Sequence, residues 1–524
     1  MYSSLSWFLA RGVFRTLTSY PDPGEGDGLV GDLATDAGTP NDDATEWTFT
    51  LRSGIRFGPA LGGERIPDVT GTEITCDDIK YGIERIFLPS VEAGYPFYYD
   101  VLVGAEAFSH GRASDIAGIE CIDDKTIAFH LREPTTDWPS RLAMPASTPV
   151  RRAYASRYDR GVTSSYPSHV LFSGPYFVAR HEDGGLRLER SPDWDPASDA
   201  VRGAYVDGVD WRFGFGIGDG IAKVTSGEYD LAADLPPTGK LLERIVTDPS
   251  TLARLIHEPE GCIRYLFVNT KVRPFDDALV RRAVNVAIDR ANLKRIFGGP
   301  ATGPIASSVI PPGIDGYLSP ARFAPFATYA SAGDIDRGRR LMARAGYPDG
   351  YDRPITAVGS PNPPFDAIFD SVVGDLRRLG FSHVVTLQPT SGDEYSKYYS
   401  RLSSRTAVGT STGWCKDYPG PYSILGSVLS ADAIDPSSSR NYSFLDDDRL
   451  ERAIGAAEAE VDPAAATALW EKANRVATES AAWVPWSWDE TAIVYGTRVR
   501  DAHYLPFVTQ IDWVNARVRR ANGS

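Results

Sequence analysis

Between residues 44 and 57 the chain alternates. Trp47, Phe49 and Leu51 are separated by Thr48, Thr50 and Arg52, and this period of two predicts a strand with one buried face, ended by the Ser53-Gly54 turn. Past Thr75 the period changes. Ile79, Ile83, Ile86 and Phe87 form one stripe, with Asp77 and Asp78 in the first turn, where carboxylates suit the positive end of a helix. Residues 126–131 alternate again and stop at Arg132-Glu133-Pro134. Another strand block starts at Gly174-Pro175-Tyr176-Phe177-Val178, continues through 186–190, and ends in the turn Ser191-Pro192-Asp193-Trp194-Asp195-Pro196.

From Cys262 strands and helices take turns. A strand is predicted through 265–269, then a helix over 277–290 carrying Val280, Val284, Ala287 and Ile288. Helix 335–345 follows, with Gly346 placed to end it, then helix 366–379 with Ile368, Phe369, Val372, Val373 and Leu376. A strand over 382–388 and helices over 446–460 and 463–479 complete the series, and the Trp- and Val-rich segment 483–524 reads as strands returning to an earlier sheet. Alternation of this kind predicts an α/β layer fold.

A length of 524 residues predicts two or three domains. The net charge of −15 and a pI near 5.0 argue against nucleic-acid binding, which needs a basic face. No run of about 18 apolar residues occurs to span a membrane. The first ten residues lack the basic start and long apolar core of a secretory signal, so the protein is cytosolic or its natural start is absent. Gly214, Gly216, Gly218 and Gly220 fit neither a phosphate loop nor a dinucleotide fingerprint. The seven histidines show no i,i+4 pair, and no Gly-x-Ser-x-Gly elbow is present, so neither a zinc site nor a serine triad is expected. Cys76, Cys121, Cys262 and Cys415 are widely spaced, which fits two disulfides or four buried thiols. The abundance of Ala, Arg, Asp and Gly suggests a GC-rich, actinobacterial source.

The richest candidate chemistry lies in Gly413-Trp414-Cys415-Lys416-Asp417-Tyr418-Pro419-Gly420-Pro421-Tyr422. An acid set between aromatic rings is partly shielded from water and is a strong acceptor for an ammonium group. The competing reading is a loop Asp that satisfies nearby backbone N–H groups. If Cys262 and Cys415 pair, the loop carrying Asp417 is stapled to the start of a strand. Trp483, Trp486, Trp488 and Trp513 line a pocket or fill a core, with Trp486 the better pocket candidate and sharing a strand face with Trp488. Tyr95, Phe97, Tyr98 and Tyr99 read as a satellite core. Asp446-Asp447-Asp448 precedes a helix, so N-capping explains it better than metal binding.

Taken in order, several phrases resemble the extracellular solute-binding proteins, family 5, that serve peptide-type ABC importers. They are Leu33-Ala34-Thr35, the run from Trp47 to Phe57, the run from Cys76 to Arg85, Ser173-Gly174-Pro175-Tyr176, Ser191-Pro192-Asp193-Trp194, Asn269, Pro274-Phe275-Asp276-Asp277, Val280-Arg281-Arg282-Ala283-Val284, the run from Ala345 to Gly350, and Gly413-Trp414-Cys415-Lys416-Asp417-Tyr418. The resemblance covers nearly the whole chain. It implies a three-domain, periplasmic-binding-protein-like α/β fold (Venus flytrap, cluster C) with mixed sheets in two lobes and an insertion domain. Domain I would comprise 1–35, 147–261 and 486–524, domain II 36–146 and domain III 262–485, with hinges near 258–262 and 484–488.

The same resemblance implies a receptor, not an enzyme, that captures an oligopeptide and passes it to ABC permease subunits. No catalytic residue, metal or cofactor is expected, and the protein is expected to be a monomer. Asp417 would grip the ligand's α-ammonium, Gly413 and Cys415 would pair with its backbone, and Trp414 would wall a pocket. Ser4 falls near the family's ligand-pairing strand, and Trp486 is kept as a further contact. Disulfides Cys262–Cys415 and Cys76–Cys121 are implied. The family's extracellular placement, with a lipid anchor on a preceding segment or in a periplasm, is expected too. Two alternatives remain: the same fold holding an oligosaccharide, amine or metal complex, and a glycoside hydrolase with a Trp-lined cleft.

Overall fold

The computed structural model describes every residue except 1–3, 25, 27, 92, 95, 238, 327–331, 361–362, 389–393, 404–405, 411–412, 436–438 and 520–524. The chain divides into two compact units: Met1–Leu235 with Ile493–Ser524, and Pro236–Ala492. It therefore passes between units at 235–236 and 492–493, not at the crossings expected near 258–262 and 484–488.

In the first unit, strands β1 (Thr39–Pro40), β2 (Glu46–Thr50), β3 (Ile119–Asp123) and β4 (Thr126–His130) form an antiparallel sheet in the order β1-β2-β4-β3. The predicted alternation is seen directly: Trp47 and Phe49 are buried while Glu46 and Thr50 are exposed. Phe49 packs edge-on against Phe129, and Phe129 against Trp138. Tyr98 and Tyr99 are buried in this region, as a satellite core requires, while Tyr95 lies outside the described residues. Helix α2 (Cys76–Arg85) begins where predicted, the Thr75 backbone N–H donating to Asp78 Oδ2 at 2.9 Å. The disulfide Cys76–Cys121 ties α2 to β3.

A second antiparallel sheet contains β5 (Tyr176–Glu182), β6 (Gly185–Arg190) and β7 (Gly208–Arg212) in that order. Helix α1 (Ser4–Val13) is fixed to this unit by buried charge. Arg11 Nη2 meets Asp512 Oδ2 at 2.8 Å, and Arg202 Nε donates to the Arg11 carbonyl at 2.6 Å. Asp32 accepts from Arg15 Nε and Arg202 Nη2, each at 2.7 Å, and Arg202 also meets Asp199 at 3.3 Å. These are three cations and three anions taken out of water together, and a buried ion pair is tolerable only when its remaining donors and acceptors are satisfied in this way.

The second unit has three layers. Strands β8 (Leu255–Val268), β9 (Ile355–Val358), β10 (Val384–Leu387), β11 (Val408–Thr410), β12 (Trp414–Cys415) and β13 (Trp483–Val494) form one mixed sheet. Its order is β10-β9-β11-β8-β12, and β13 also pairs with β8. β9 runs parallel to β10 and β11, whereas β8 runs antiparallel to β11 and β12. Along β8, Leu266 and Val268 enter one core with Val280, Val284, Ile368, Phe369 and Val372. Ile263, Tyr265 and Phe267 enter a second core with Leu450, Ile454 and Trp470. The first core is closed by α3 (Ala278–Ala287), α4 (Arg290–Phe297), α5 (Ile335–Arg344) and α6 (Phe365–Leu379), the second by α7 (Asp448–Glu458) and α8 (Pro463–Glu479). Five of these helices start on an aspartate: Asp277, Asp289, Asp334, Asp447 and Asp462 each accept a hydrogen bond from a first-turn N–H. The Asp446-Asp447-Asp448 run is thus a cap.

Candidate functional site

The Gly413–Asp417 segment is held from three sides. On the first, β12 pairs with β8 in the register Cys262↔Cys415 and Ile263↔Trp414, and the disulfide Cys262–Cys415 crosses that pair. On the second, the half-buried Trp414 packs against the core and its indole N–H donates to the Ser423 carbonyl at 2.8 Å. On the third, Lys416 turns inward, 7% exposed, with its backbone N–H donating to the Gly261 carbonyl and Nζ donating to the Glu260 carbonyl at 2.6 Å. Burial pushes the Lys416 ammonium down to about 8, with Glu260 opposing that shift. Gly413 has φ +126, and a Cβ there would lie 2.7 Å from the Ile263 carbonyl oxygen and 2.8 Å from Arg264 Cδ. Only glycine fits this position. Asp417 follows, half-buried, between the inward Lys416 and the fully buried Tyr418.

The structure thus brings Gly413, Trp414, Cys415 and Asp417 together on one stapled strand end of the second unit. The other two expected residues lie on other elements. Ser4 begins helix α1 in the first unit, not a strand, because Trp7, Phe8 and Ala10 of this segment are buried at helical spacing; its side chain lies outside the described residues. Trp486 is fully buried and meets Phe297 edge-on at 5.4 Å, so it is a core residue and no pocket wall. Trp486 and Trp488 also join different cores, against the expected shared face, and Trp483 stacks on Tyr265 at 3.5 Å. Trp513 donates its N–H to the Phe8 carbonyl and borders a cavity of about 420 Å³ in the first unit, with Trp211, Phe215 and Tyr229. That cavity contains none of the residues on the stapled strand.

Beside Gly413 lies a polar chain that the sequence reading did not single out. Arg264, on β8, donates from Nε to Asp489 Oδ2 at 2.6 Å. Ser487 Oγ donates to Asp489 Oδ1 at 3.0 Å and accepts from Lys294 Nζ at 2.7 Å. Burial pushes Lys294 down to about 8, with Asp489 and Glu490 opposing. The Arg264 guanidinium lies 5.2 Å from the Phe297 ring centre and 5.4 Å from that of Phe365. A lone charge within the apolar run 262–268 was the available signal. Among the described residues no group of three or more His, Cys, Asp or Glu is placed to hold a metal, and no helix is long and apolar enough to cross a membrane.

Residues 28–436 match the family profile described as bacterial extracellular solute-binding proteins, family 5 (Middle). The chain belongs to this family. Among the relatives of this family 5 protein is Haem-binding protein A of Haemophilus influenzae, 24% identical over 460 residues that cover 85% of this chain and 76% of the relative. Di/tripeptide-binding protein 1 of Pseudomonas aeruginosa is 24% identical over 459 residues, covering 85% and 78%. The solved structure of the clavulanic acid biosynthesis oligopeptide binding protein 2 superposes with a TM-score of 0.86 at 27% identity, covering 99% of the family 5 protein and 92% of that chain. The fold is that of the periplasmic peptide-binding proteins.

Proposed function

We propose that this protein is the substrate receptor of an ABC importer, which captures a peptide outside the membrane, closes over it by a hinge and hands it to the permease. It acts by binding and releases its ligand unchanged. The reading draws on family membership and on relatives named for di-, tri- and oligopeptides. The observation that carries it is local. Asp417 stands half-buried two residues beyond β12, the strand that ends the sheet order and is stapled to β8. An extended peptide adding to that end would gain main-chain hydrogen bonds whatever its side chains, and would bring its ammonium to a fixed carboxylate. A lipid on a segment preceding this chain would keep such a receptor at the cell surface.

The test is calorimetry with Asp417→Asn. A charge-assisted hydrogen bond is worth about 1.5–3 kcal/mol, so peptides with free N-termini should bind about 10- to 150-fold more weakly, and N-acetylated ones little changed. Equal loss for both removes Asp417 from this role. The haem-binding name of one relative favours a second reading, a non-peptide solute in the same site. Mass spectrometry of ligand released from the purified protein separates the two.

A further inference from the structure

The first unit contains a slot that fits one more strand. We propose that it is a strand-acceptor site, filled by an apolar segment of the same polypeptide that runs into α1 from ahead of Met1. Within its sheet β7 pairs with β6 alone, so the second edge of β7 is open. The cavity of about 420 Å³ in this unit runs along that edge, and its lining takes in every residue from 208 to 212. It also takes in every residue from 228 to 233, and then Leu235. Two continuous stretches of main chain therefore bound the opening, which sets it apart from a gap between side chains.

The second stretch has free the groups that an added strand would use. Among the described residues the N–H groups of Leu231, Ala232 and Ala233 have no hydrogen-bond partner, although all three residues are half-buried. Main-chain donors shielded from water are nearly always paired, so three in succession point to an absent neighbour.

The two walls stay apart because this stretch is pinned at both ends. Asp230 meets Arg498 through both carboxylate oxygens, each at 3.1 Å, and its carbonyl accepts from the Gly496 N–H at 2.7 Å. At the other end Leu235 lies against the backbone of Gly220, where a Cβ would collide with the Leu235 side chain. The stretch then ends in a left-handed turn at Asp234, φ +55, followed by Pro236 and Pro237.

The lining says what fits. One aromatic group, Phe8, Trp211 and Trp513, and a second, Phe215 and Tyr229, both wall the slot, with Val224 of the helix Ile217–Ser226. A strand enclosed by both groups is buried on its two faces, and such strands are continuous runs of Val, Ile and Leu, not alternating ones. The source follows from α1. That helix begins at Ser4, and Phe8, about 6 Å further along its axis, already lines the slot. Polypeptide leading into α1 is thus delivered to the opening. Matching 208–212 takes about five residues, or roughly 17 Å of strand, more than the three residues ahead of α1 supply.

The experiment compares the full chain with the same chain carrying Val-Ile-Val-Ile-Val ahead of Met1, joined through Gly-Ser linkers of increasing length. Hydrogen exchange is read by mass spectrometry. The amides of 231–233 should exchange fast in the chain alone and at least about tenfold more slowly in the best fused form. A fused Val-Ile-Pro-Ile-Val, which lacks a central N–H, should protect them far less. The acetylated and amidated peptide Lys-Val-Ile-Val-Ile-Val-Lys, which has no α-ammonium for Asp417, should protect the same amides less in trans than the tethered strand does, since the tether raises its local concentration. The proposal is overturned if 231–233 already exchange slowly in the chain alone, or if no linker length slows them. It is overturned too if the proline version protects equally, which makes the slot a receiver of apolar bulk. Protection by the peptide in trans without protection by the fused strand would assign the slot to another molecule, and so overturn it as well.

Discussion

Replacing Asp32 by Asn tests whether the first unit depends on its buried charges. Asp32 is 1% exposed and accepts from Arg15 Nε and Arg202 Nη2, each at 2.7 Å. Burial opposes its ionisation, but attraction to Arg202 and then Arg15, with their hydrogen bonds, prevails and brings it from 3.8 down to about 2. A carboxylate depressed in this way contributes stability that is fully present above its unfolded value and is lost as pH falls toward about 2. The shift corresponds to about 2.5 kcal/mol at 1.36 kcal/mol per unit. The substitution removes more than that, since two guanidinium groups lose the carboxylate they share and keep Asp199 as their remaining ion-pair partner, and breaking a buried pair from one side costs about 3–5 kcal/mol. Calorimetric unfolding of Asp32→Asn at pH 7 should show a loss of about 3–4 kcal/mol, or roughly 10 °C in the transition of this unit at about 2–4 °C per kcal/mol. The difference from the parent protein should shrink as pH is lowered from 5 toward 2. A loss under about 1 kcal/mol at pH 7, or one independent of pH, would refute the claim that these charges hold the unit together.

Three further outcomes are expected. The disulfides close loops of different length, 153 residues for Cys262–Cys415 and 45 for Cys76–Cys121. Chain entropy gives about 5 and 4 kcal/mol respectively, so guanidinium unfolding of the two Cys-to-Ala pairs should rank them in that order. Gly413→Ala forces a side chain into φ +126 against the Ile263 carbonyl and Arg264, so it should cost about 1–3 kcal/mol and weaken ligand binding by distorting the stapled strand that carries Asp417, checked by urea titration and calorimetry. Burial holds Lys416 and Lys294 near 8 instead of 10.5, so the unfolded chain binds more protons between those values and stability rises with pH across them. Lys416→Met should remove about half of that rise in melts taken from pH 8 to 10.5, and an unchanged slope would contradict the burial argument.

Local pattern made the helices of the second unit legible. The helix predicted over 463–479 is Pro463–Glu479, and the one predicted over 366–379 is Phe365–Leu379, because apolar period and Asp or Gly punctuation coincide there. The strand end bearing Trp414 and Asp417 was legible through its motif and its cysteine. The first unit's charge network was not, since Arg11 and Asp512 meet across 501 positions and nothing near either residue marks the other. Arg11 reads locally as an interruption of an apolar segment, and only the tertiary partner makes it a core residue. Arg264 escaped for a similar reason, because its meaning depends on Asp489 and on the empty Cβ position of Gly413. The tryptophans misled in the opposite sense. A regular strand would put residues 486 and 488 on one side, but β13 changes sides between them, around Ser487 and its bonds to Lys294 and Asp489.

The pairing of β8 with β13 has a consequence for biogenesis. Residues near 260 find their neighbour only near 490, and Arg11 finds its counter-ion at 512. Contacts of such high sequence separation form slowly, because a long loop must be closed before any of them is rewarded. Neither unit can complete its native core on the ribosome until almost the whole polypeptide has emerged. A nascent chain built this way stays open late, and its two units reach their final cores only when its last residues are available.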